Sequence, residues 1–216
     1  MKDIVIVGAG GFGKEIAWLI ERINTKALSY NIIGYLDDNK PIGYKNGKYL
    51  VIGNLDYLKD KDDIAIAVAI GSSKIRHIVV NKIKIINKSA YFPNLIDPSV
   101  ICGESLDIGE GNLICAANIL TVDYRIGNFN IINLDCTIGH DAILKDFVTL
   151  YPSVNVSGNV LIENYTELGT GAQVIQGIKI GKNVIVGAGA VVVRNLEDNI
   201  TAVGSPAKKI KDREVI

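Results

Sequence analysis

The chain has 216 residues, enough for one large domain or two modest ones. Its 23 basic residues balance 23 acidic ones, which argues against capture of nucleic acid or of an anionic membrane surface by charge. No apolar run approaches the roughly 18–20 residues that a membrane-spanning helix needs, so we expect no membrane partner.

The first 90 residues alternate strand and helix patterns, which is typical of a small parallel α/β sheet. We predict strands at 4–7, 32–36 and 64–70, and helices at 14–22 and 73–86. The N-terminus enters the first strand without a basic stretch and cleavage site, which favours a cytoplasmic protein. His77 falls in the second predicted helix, where we expect a surface or packing residue.

A glycine turn joins the first predicted strand to the first helix. It reads Gly8-Ala9-Gly10-Gly11-Phe12-Gly13, and this G-x-G-x-x-G spacing lets backbone N–H groups hold a phosphate or diphosphate. Asp37 and Asp38 follow the second strand, about where the acidic residue of a dinucleotide fold contacts a ribose. The structural alternatives are a plain tight turn and a solvated acidic loop. A nicotinamide-dependent oxidoreductase is a competing interpretation, but about 90 residues are too few for the two halves that a dinucleotide needs.

A six-residue period begins at Ile96. Every sixth residue from there to Val192 is aliphatic, apart from Cys102. A period of six is typical of a parallel β-helix, in which three hexapeptides make one coil and residues 18 apart stack about 4.8 Å from each other. Because Cys102, Cys115 and Cys136 lie in this repeat without metal-ligand spacing, we interpret them as small buried residues, and we expect no metal site.

The repeat resembles that of the hexapeptide-repeat acyltransferases: an aliphatic residue, often a glycine, two variable residues, a small residue and a further variable one. The tail from Ala202 to Lys208 also resembles the segment that ends many of these β-helices. With the glycine turn, nearly the whole chain is similar to the sugar-nucleotide acetyltransferases of bacterial glycan pathways, which include pilin-glycosylation N-acetyltransferases and the sialic acid O-acetyltransferase group. The resemblance implies a Rossmann-like sugar-nucleotide domain at 1–90, a left-handed parallel β-helix at 91–216, acetyl-CoA as co-substrate and a homotrimer.

The resemblance also implies a set of binding residues. Diphosphate and sugar would lie against Gly10, Gly11 and Phe12, the base against Asp37 and Asp38, and the sugar pocket would include Gly71 and Asn133. The coenzyme and its acetyl group would contact Thr149, Gly158, Thr170 and Ala188. Several relatives carry histidine at the positions of Phe12 and Thr149, so these two contacts must differ in this chain.

His140 is the candidate catalytic base. Acetyl transfer to an amine or a hydroxyl needs a base that titrates near neutrality, and histidine suits that role. The repeat predicts that His140 projects from a coil corner, where an exposed turn histidine is the plain alternative. The resemblance places the family's catalytic histidine here, with Asp141 orienting the ring if both residues lie on a corner and Asp135 as the substitute acid.

Gly158 lies 18 residues beyond His140 and should therefore sit one coil above it. Its N–H could bond to the thioester carbonyl and to the oxyanion that develops during attack. The resemblance implies the same contact, and a corner glycine without a catalytic role is the plain alternative.

The acceptor stays open within the enzyme interpretation. The N-terminal pocket favours the amine of a UDP-linked 4-amino-6-deoxy sugar, and a hydroxyl of sialic acid or another sugar is the alternative. A metal enzyme of the γ-carbonic anhydrase kind needs several histidine ligands and is excluded because the repeat holds one histidine. A catalytically silent scaffold protein is a further alternative, and it would tolerate the loss of His140. Packing three prisms would cover outward aliphatic residues such as Ile131, Ile143 and Val191 and would share active sites between subunits.

Overall fold

The computed structural model describes residues 1–59, 61–103 and 107–215. The N-terminal part contains β1 (Lys2–Val7), α1 (Gly11–Lys26), β2 (Tyr30–Leu36), β3 (Lys45–Asn46), β4 (Tyr49–Gly53), a 3-10 helix (Leu55–Leu58), β5 (Ala65–Val68) and α2 (Ser73–Ile86). The sheet order is β3-β4-β2-β1-β5, and all neighbours are parallel except β3 and β4. The sequence predicted β1, β2, β5 and both helices but missed β3 and β4.

Strand β1 explains why this part folds as three layers. Its residues alternate between two apolar clusters because successive side chains of a strand point to opposite faces. Ile4 and Ile6 pack with α1, whereas Val5 and Val7 pack in the cluster that holds Val80 of α2. The two helices therefore cover opposite faces of the sheet.

The rest of the chain forms a β-helix of two-residue strands followed by a hairpin. Its strands are β6 (Leu95–Ile96), β7 (Ile101–Cys102), β8 (Asp107–Ile108), β9 (Leu113–Ile114), β10 (Ile119–Leu120), β11 (Arg125–Ile126), β12 (Ile131–Ile132), β13 (Thr137–Ile138), β14 (Ile143–Leu144), β15 (Thr149–Leu150), β16 (Asn155–Val156), β17 (Leu161–Ile162), β18 (Glu167–Leu168), β19 (Gln173–Val174), β20 (Lys179–Ile180), β21 (Ile185–Val186), β22 (Val191–Val192), β23 (Ile200–Val203) and β24 (Lys208–Asp212). From β6 to β19, each short strand pairs in parallel with the strand 18 residues on, as Ile131 does with Thr149. The predicted coil length is confirmed.

The short strands stack into three flat faces. The first face has the order β24-β23-β21-β18-β15-β12-β9-β6, the second β22-β19-β16-β13-β10-β7, and the third β20-β17-β14-β11-β8. Between faces the chain turns at corners, and positive φ angles recur at every sixth residue from Ala117 to Gly189. The period of six in the sequence therefore reflects two features of each repeat, the corner residue with positive φ and the inward aliphatic side chain.

The outward side of the first face packs against the N-terminal part of the same chain. Leu95, Leu113 and Ile131 are at most 1% exposed and join the cluster of α1 and the sheet. Our expectation that Ile131 faces a neighbouring subunit is wrong, because this chain's own N-terminal part covers it. Ile143 and Val191 remain partly exposed.

Aromatic residues line the corner between the third and first faces. Phe129, Phe147 and Tyr165 have positive φ angles of 54°, 59° and 62°, a costly conformation for bulky side chains. Their rings stack with centroids 5.3 and 5.6 Å apart, and His77 of α2 lies 5.0 Å from both Phe147 and Tyr165. Of the two roles that the sequence left open for His77, surface or packing, the structure shows packing.

The predicted division at residue 90 falls in the connection between α2 and β6. Tyr91 in that connection still bridges to Ala65 of β5. The assignment of 1–90 and 91–216 to two domains stays a prediction.

The cysteines are only partly as expected. Cys115 and Cys136 are 4% and 0% exposed, and burial raises the pKa of each thiol to about 12. Cys102 is exposed, which contradicts our expectation. The reason is its place in β7, the end strand of the second face, where no earlier coil covers it.

Candidate active site

His140 and Asp141 lie together on the corner between the second and third faces, after β13 and before β14. The Nδ1 atom of His140 is 2.8 Å from Oδ2 of Asp141, and the two side chains are 53% and 59% exposed. Asp141 has a φ of 59°, and this turn brings together neighbouring side chains that would diverge in a strand. The corner geometry that the sequence required for this pair is therefore present.

The pair has a defined protonation pattern when the histidine is neutral. The Asp141 carboxylate only accepts hydrogen bonds, so Nδ1 must carry the hydrogen. Nε2 is then left with a free lone pair, which is the form that a general base needs.

Gly158 lies against the imidazole ring, as the 18-residue coil predicted. A Cβ built on Gly158 would overlap Nε2 of His140 and would lie 2.6 Å from Cε1 and 2.9 Å from Cδ2. The backbone N–H of Asn159 also donates to the carbonyl of His140 at 2.7 Å. The absence of a side chain at position 158 is thus what lets the ring occupy this place.

Asp135 lies elsewhere, on the corner between the first and second faces. Its carboxylate accepts a hydrogen bond from the Ser153 hydroxyl at 3.1 Å. The second face separates it from His140, so within one chain it does not replace Asp141 as the partner of the ring.

The glycine turn has two kinds of glycine. Gly8 has a φ of 106°, and a Cβ on Gly13 would overlap the carbonyl of Gly8, so both are needed for the turn itself. A Cβ on Gly10 or Gly11 would meet nothing within 4 Å. Since the first turn of α1 also has no acidic residue, this helix N-terminus is open to an anion.

Asp37 and Asp38 differ in their surroundings. The Asp37 carboxylate accepts hydrogen bonds from the N–H groups of Ala9 and Asn39, both at 2.8 Å, and so fixes the glycine turn. Asp38 is exposed. Both line a cavity of about 360 Å³ whose other lining residues are Val7, Gly8, Leu36, Asn39, Leu55, Ile70, Ile75, Ile78, Val79 and Lys82.

A smaller cavity of about 140 Å³ lies between α1 and the first face. It brings together four residues that the sequence singled out, namely Phe12, Gly71, Asn133 and Thr149, with Glu15, Ile131 and Tyr151. Tyr151 was missed, although it lies 18 residues beyond Asn133 and the coil length places it directly above. Glu15 was also missed; it lies one helical turn from Phe12, which puts both on one face of α1.

Thr149 is not free to offer its hydroxyl to a ligand. The residue is 1% exposed, and its hydroxyl donates to the carbonyl of Gly71 at 2.9 Å and accepts from Arg76 at 2.8 Å. A contact with the coenzyme through this hydroxyl is therefore not available in the present arrangement. Arg76 carried no signal in the sequence, because nothing local predicts which residue of α2 faces the β-helix.

The candidate groups of one chain occupy two different corners. His140 and Gly158 share the corner between the second and third faces. Asn133, Thr170 and Ala188 lie on the corner between the first and second faces, where the Gly189 N–H donates to the Thr170 carbonyl at 2.8 Å. Thr170 and Ala188 are exposed and stack one coil apart.

Two features of the site region bear on cofactors and membranes. Within residues 1–59, 61–103 and 107–215, no three His, Cys, Asp or Glu side chains are grouped to hold a metal ion. Over the same ranges, neither helix has the length and apolar character needed to cross a bilayer.

Known proteins match both parts of the chain. Residues 3–83 match the family model described as the PglD N-terminal domain, and residues 159–194 match the bacterial transferase hexapeptide model. GDP-perosamine N-acetyltransferase of Escherichia coli O157:H7 is 30% identical over 217 residues, which cover 95% of each chain.

Solved structures agree with the fold. PerB from Caulobacter crescentus, in complex with CoA and GDP-perosamine, has a TM-score of 0.88 at 30% identity over 98% of each chain. The acetyltransferase domain of PglB from Neisseria gonorrhoeae FA1090, in complex with acetyl coenzyme A, has a TM-score of 0.88 at 32% identity over 97% of this chain and 99% of that one. The expected fold class, a small Rossmann-like domain followed by a left-handed parallel β-helix, is confirmed.

Proposed function

We propose a reaction for this chain on the premise that it belongs to the hexapeptide-repeat sugar acetyltransferases, the family that the sequence predicted. The reaction is transfer of the acetyl group of acetyl-CoA to the amine of a nucleotide-linked 4-amino-6-deoxy sugar in bacterial glycan biosynthesis. The observation that carries it is the corner pair, in which Asp141 holds Nδ1 of His140 and leaves Nε2 as the base.

The pair suits each proton transfer in the reaction. The neutral amine attacks the thioester carbonyl carbon, a C–N bond forms, and Nε2 of His140 takes the proton that the nitrogen loses. Asp141 stabilises the imidazolium that results. When the C–S bond breaks, the same Nε2–H returns the proton to the departing thiolate. Gly158, beside the ring, is our candidate for the N–H that bonds to the oxyanion.

The two helix N-termini of the N-terminal part are not equivalent, and this supports one place for the diphosphate. At α2 the backbone N–H of Ser73 already donates to the Glu167 carboxylate at 2.8 Å. At α1, Gly10 and Gly11 face open space. We therefore assign the diphosphate to α1, the base and ribose to the larger cavity beside Asp38, and the amino sugar to the smaller cavity beside Phe12.

We further propose a homotrimer, because the groups needed for the reaction lie on separate corners of one chain. A neighbour that set its His140 corner against the Asn133 corner would complete the site and would align it with Thr170 and Ala188, our candidate coenzyme contacts. The same packing would cover Ile101, Ile119 and Val122, which are 65%, 41% and 52% exposed on or beside the second face. We place the enzyme in the cytoplasm, where acetyl-CoA is available.

Acetyl transfer is tested by incubating the protein with acetyl-CoA and a panel of GDP-, UDP- and dTDP-linked 4-amino sugars, with sialic acid as the hydroxyl acceptor, and following free thiol. We expect one amino sugar to turn over and His140→Gln to lower kcat by about 10²–10⁴-fold. Lys145→Ala, an exposed change on another corner, is the control and should match wild type. Turnover of sialic acid alone would overturn the amine assignment, and unchanged turnover by His140→Gln would overturn the base.

The shared site is tested by mixing subunits. His140→Gln and Asn133→Ala are unfolded, refolded together and compared with each variant refolded alone. Because the two changes lie on different corners, mixed trimers should contain intact sites and recover a substantial part of the wild-type activity. Mixed samples that stay as inactive as the separate variants, or a fully active monomer by light scattering, would contradict the proposal.

A further inference from the structure

Arg76 is a charged side chain buried between the two parts of the chain. The residue is 1% exposed and lies in the first turn of α2. Its guanidinium donates to the carbonyls of Phe129 (2.8 Å), Ile70 (2.6 Å), Gly71 (2.9 Å), Phe147 (3.1 Å) and Val148 (3.2 Å) and to the Thr149 hydroxyl (2.8 Å). Burial lowers the pKa of Arg76 to about 10, so the group stays charged at neutral pH.

The partners of Arg76 belong to different structural units. Ile70 and Gly71 lie in the loop between β5 and α2, whereas the other acceptors lie on coils of the β-helix. Thr149 completes the link, because its hydroxyl accepts from Arg76 and donates to the same Gly71 carbonyl. That carbonyl is therefore held from two directions.

A second set of bonds holds the other side of this loop. The Glu167 carboxylate of β18 accepts from both the N–H and the hydroxyl of Ser73 at 2.8 Å. Tyr151 donates to the other Glu167 oxygen at 3.4 Å. Burial and then Glu167 raise the pKa of Tyr151, which keeps the phenol protonated as the donor. The negative charge also lies close enough to Arg76 to favour its charged form.

The loop held in this way is a shared wall of the two cavities. Ile70 lines the cavity of about 360 Å³, and Gly71 lines the cavity of about 140 Å³. A shift of the loop would change the shape of both cavities. It would therefore change the orientation of a nucleotide-linked sugar that spans them.

We propose that Arg76 and Thr149 are positioning residues that lock the Ile70–Gly71 loop against the β-helix and thereby set the acceptor sugar at the correct place on the first face. The proposal rests on the function proposed above, which places the nucleotide sugar in these two cavities. Neither side chain acts on the reacting atoms; both act through the Gly71 carbonyl.

Thr149→Val removes the hydroxyl and little else, which makes it the sharpest test. GDP-perosamine is the first probe, followed by any acceptor that turns over in the panel. We expect the KM for the nucleotide sugar to rise about five- to tenfold, because the Gly71 carbonyl loses one of its two donors and Arg76 loses one of its acceptors. The KM for acetyl-CoA should stay within about twofold of wild type, because neither Ile70 nor Gly71 is among our candidate coenzyme contacts. Thr149→Ser keeps the hydroxyl, and its KM for the nucleotide sugar should therefore be close to that of wild type.

Thr166→Val is the matched control. Thr166 is also fully buried, and its hydroxyl donates to the Gly181 carbonyl at 2.7 Å and accepts from the Val184 N–H at 3.0 Å. It lines neither cavity. We expect this variant to lose stability without a change in KM. Arg76→Lys, which keeps the charge and removes the planar fork, should raise the KM more than Thr149→Val.

The outcomes separate this proposal from the proposed function. Equal KM values for Thr149→Val and Thr166→Val, or failure of Thr149→Ser to restore the KM, would overturn the positioning role. Calorimetric binding of the nucleotide sugar without acetyl-CoA gives the same comparison if no acceptor is turned over. Absence of turnover by wild type would refute the acetyl transfer itself and leave the binding comparison as the test of the loop.

Discussion

A methyl group at position 158 would collide with the candidate base. In Gly158→Ala the new Cβ would lie 2.6 Å from Cε1 and 2.9 Å from Cδ2 of His140. Non-bonded carbon atoms prefer about 3.5–4.0 Å, so the ring must move by roughly 1 Å. A displacement of about 1 Å at a reacting group costs on the order of 10²-fold in rate, and we expect kcat to fall by that factor.

The same change should leave the fold almost intact. The His140 side chain is 53% exposed, so the ring has solvent to move into, and Gly158 does not have a positive φ. Alanine also keeps the backbone N–H, so the loss of kcat measures the position of the ring and not the loss of an oxyanion donor. We expect the melting temperature to change by about 2 °C or less.

Steady-state thiol release measures the effect, and a double variant supplies the control. If Gly158→Ala acts through the ring, it should cost nothing further in a His140→Gln background. A kcat within about twofold of wild type would refute the reasoning, as would a full additional loss in the His140→Gln background.

Two further changes test separate parts of the site, and a third tests a buried ion pair that stabilises the fold. Asp141→Asn should lower kcat by about 10²–10⁴-fold, measured by thiol release, because an amide N–H facing Nδ1 moves the ring hydrogen to Nε2; a normal kcat would exclude the role of Asp141. Gly11→Asp should raise the KM for the nucleotide sugar at least about tenfold, because it places a negative charge at the open N-terminus of α1 where we assign the diphosphate. Gly11→Ala should change this KM little, and equal effects of the two variants would contradict that assignment. Burial raises the pKa of the Asp97 carboxyl, but the hydrogen bonds from Arg22 and Ser99 outweigh burial and hold this pKa below its usual range. The interactions of Asp97 with Arg22 and Ser99 therefore stabilise the fold above about pH 4, and this stability is lost as the pH falls through the lowered pKa. Asp97→Asn should therefore lower the melting temperature at pH 7, and the difference from wild type should shrink in acid; a constant difference at all pH values would contradict the assignment.

The period of six was sufficient to predict contacts within the β-helix. It placed Gly158 above His140, and the same arithmetic leads from Asn133 to Tyr151. These positions follow from the sequence because each coil repeats the geometry of the previous one.

Contacts between the two parts of the chain could not be predicted in this way. Whether Ile131 faces solvent, a second subunit or α1 depends on how the N-terminal part docks, and no local pattern encodes that docking. The engagement of Thr149 by Arg76 is set by the same docking. The bond from the Ala9 N–H to Asp37 lies within the N-terminal part, but it joins residues 28 positions apart and no local pattern encodes it either. Sequence patterns identified which side chains are near the site. They did not show which of these side chains already form hydrogen bonds within the chain and so cannot offer them to a ligand.

The capping of α2 by Glu167 has a consequence for the order of assembly during synthesis. Ser73 and Glu167 are 94 positions apart, so the hydrogen bonds at the N-terminus of α2 cannot form until four coils of the β-helix have been synthesised. Arg76 likewise waits for the carbonyls of Phe129 and Phe147. Contacts of such wide separation slow folding, and a fragment that stops near residue 90 would expose a buried guanidinium to water. We therefore expect the N-terminal segment to reach its final form only after the ribosome has completed most of the chain, although it is the first part to emerge.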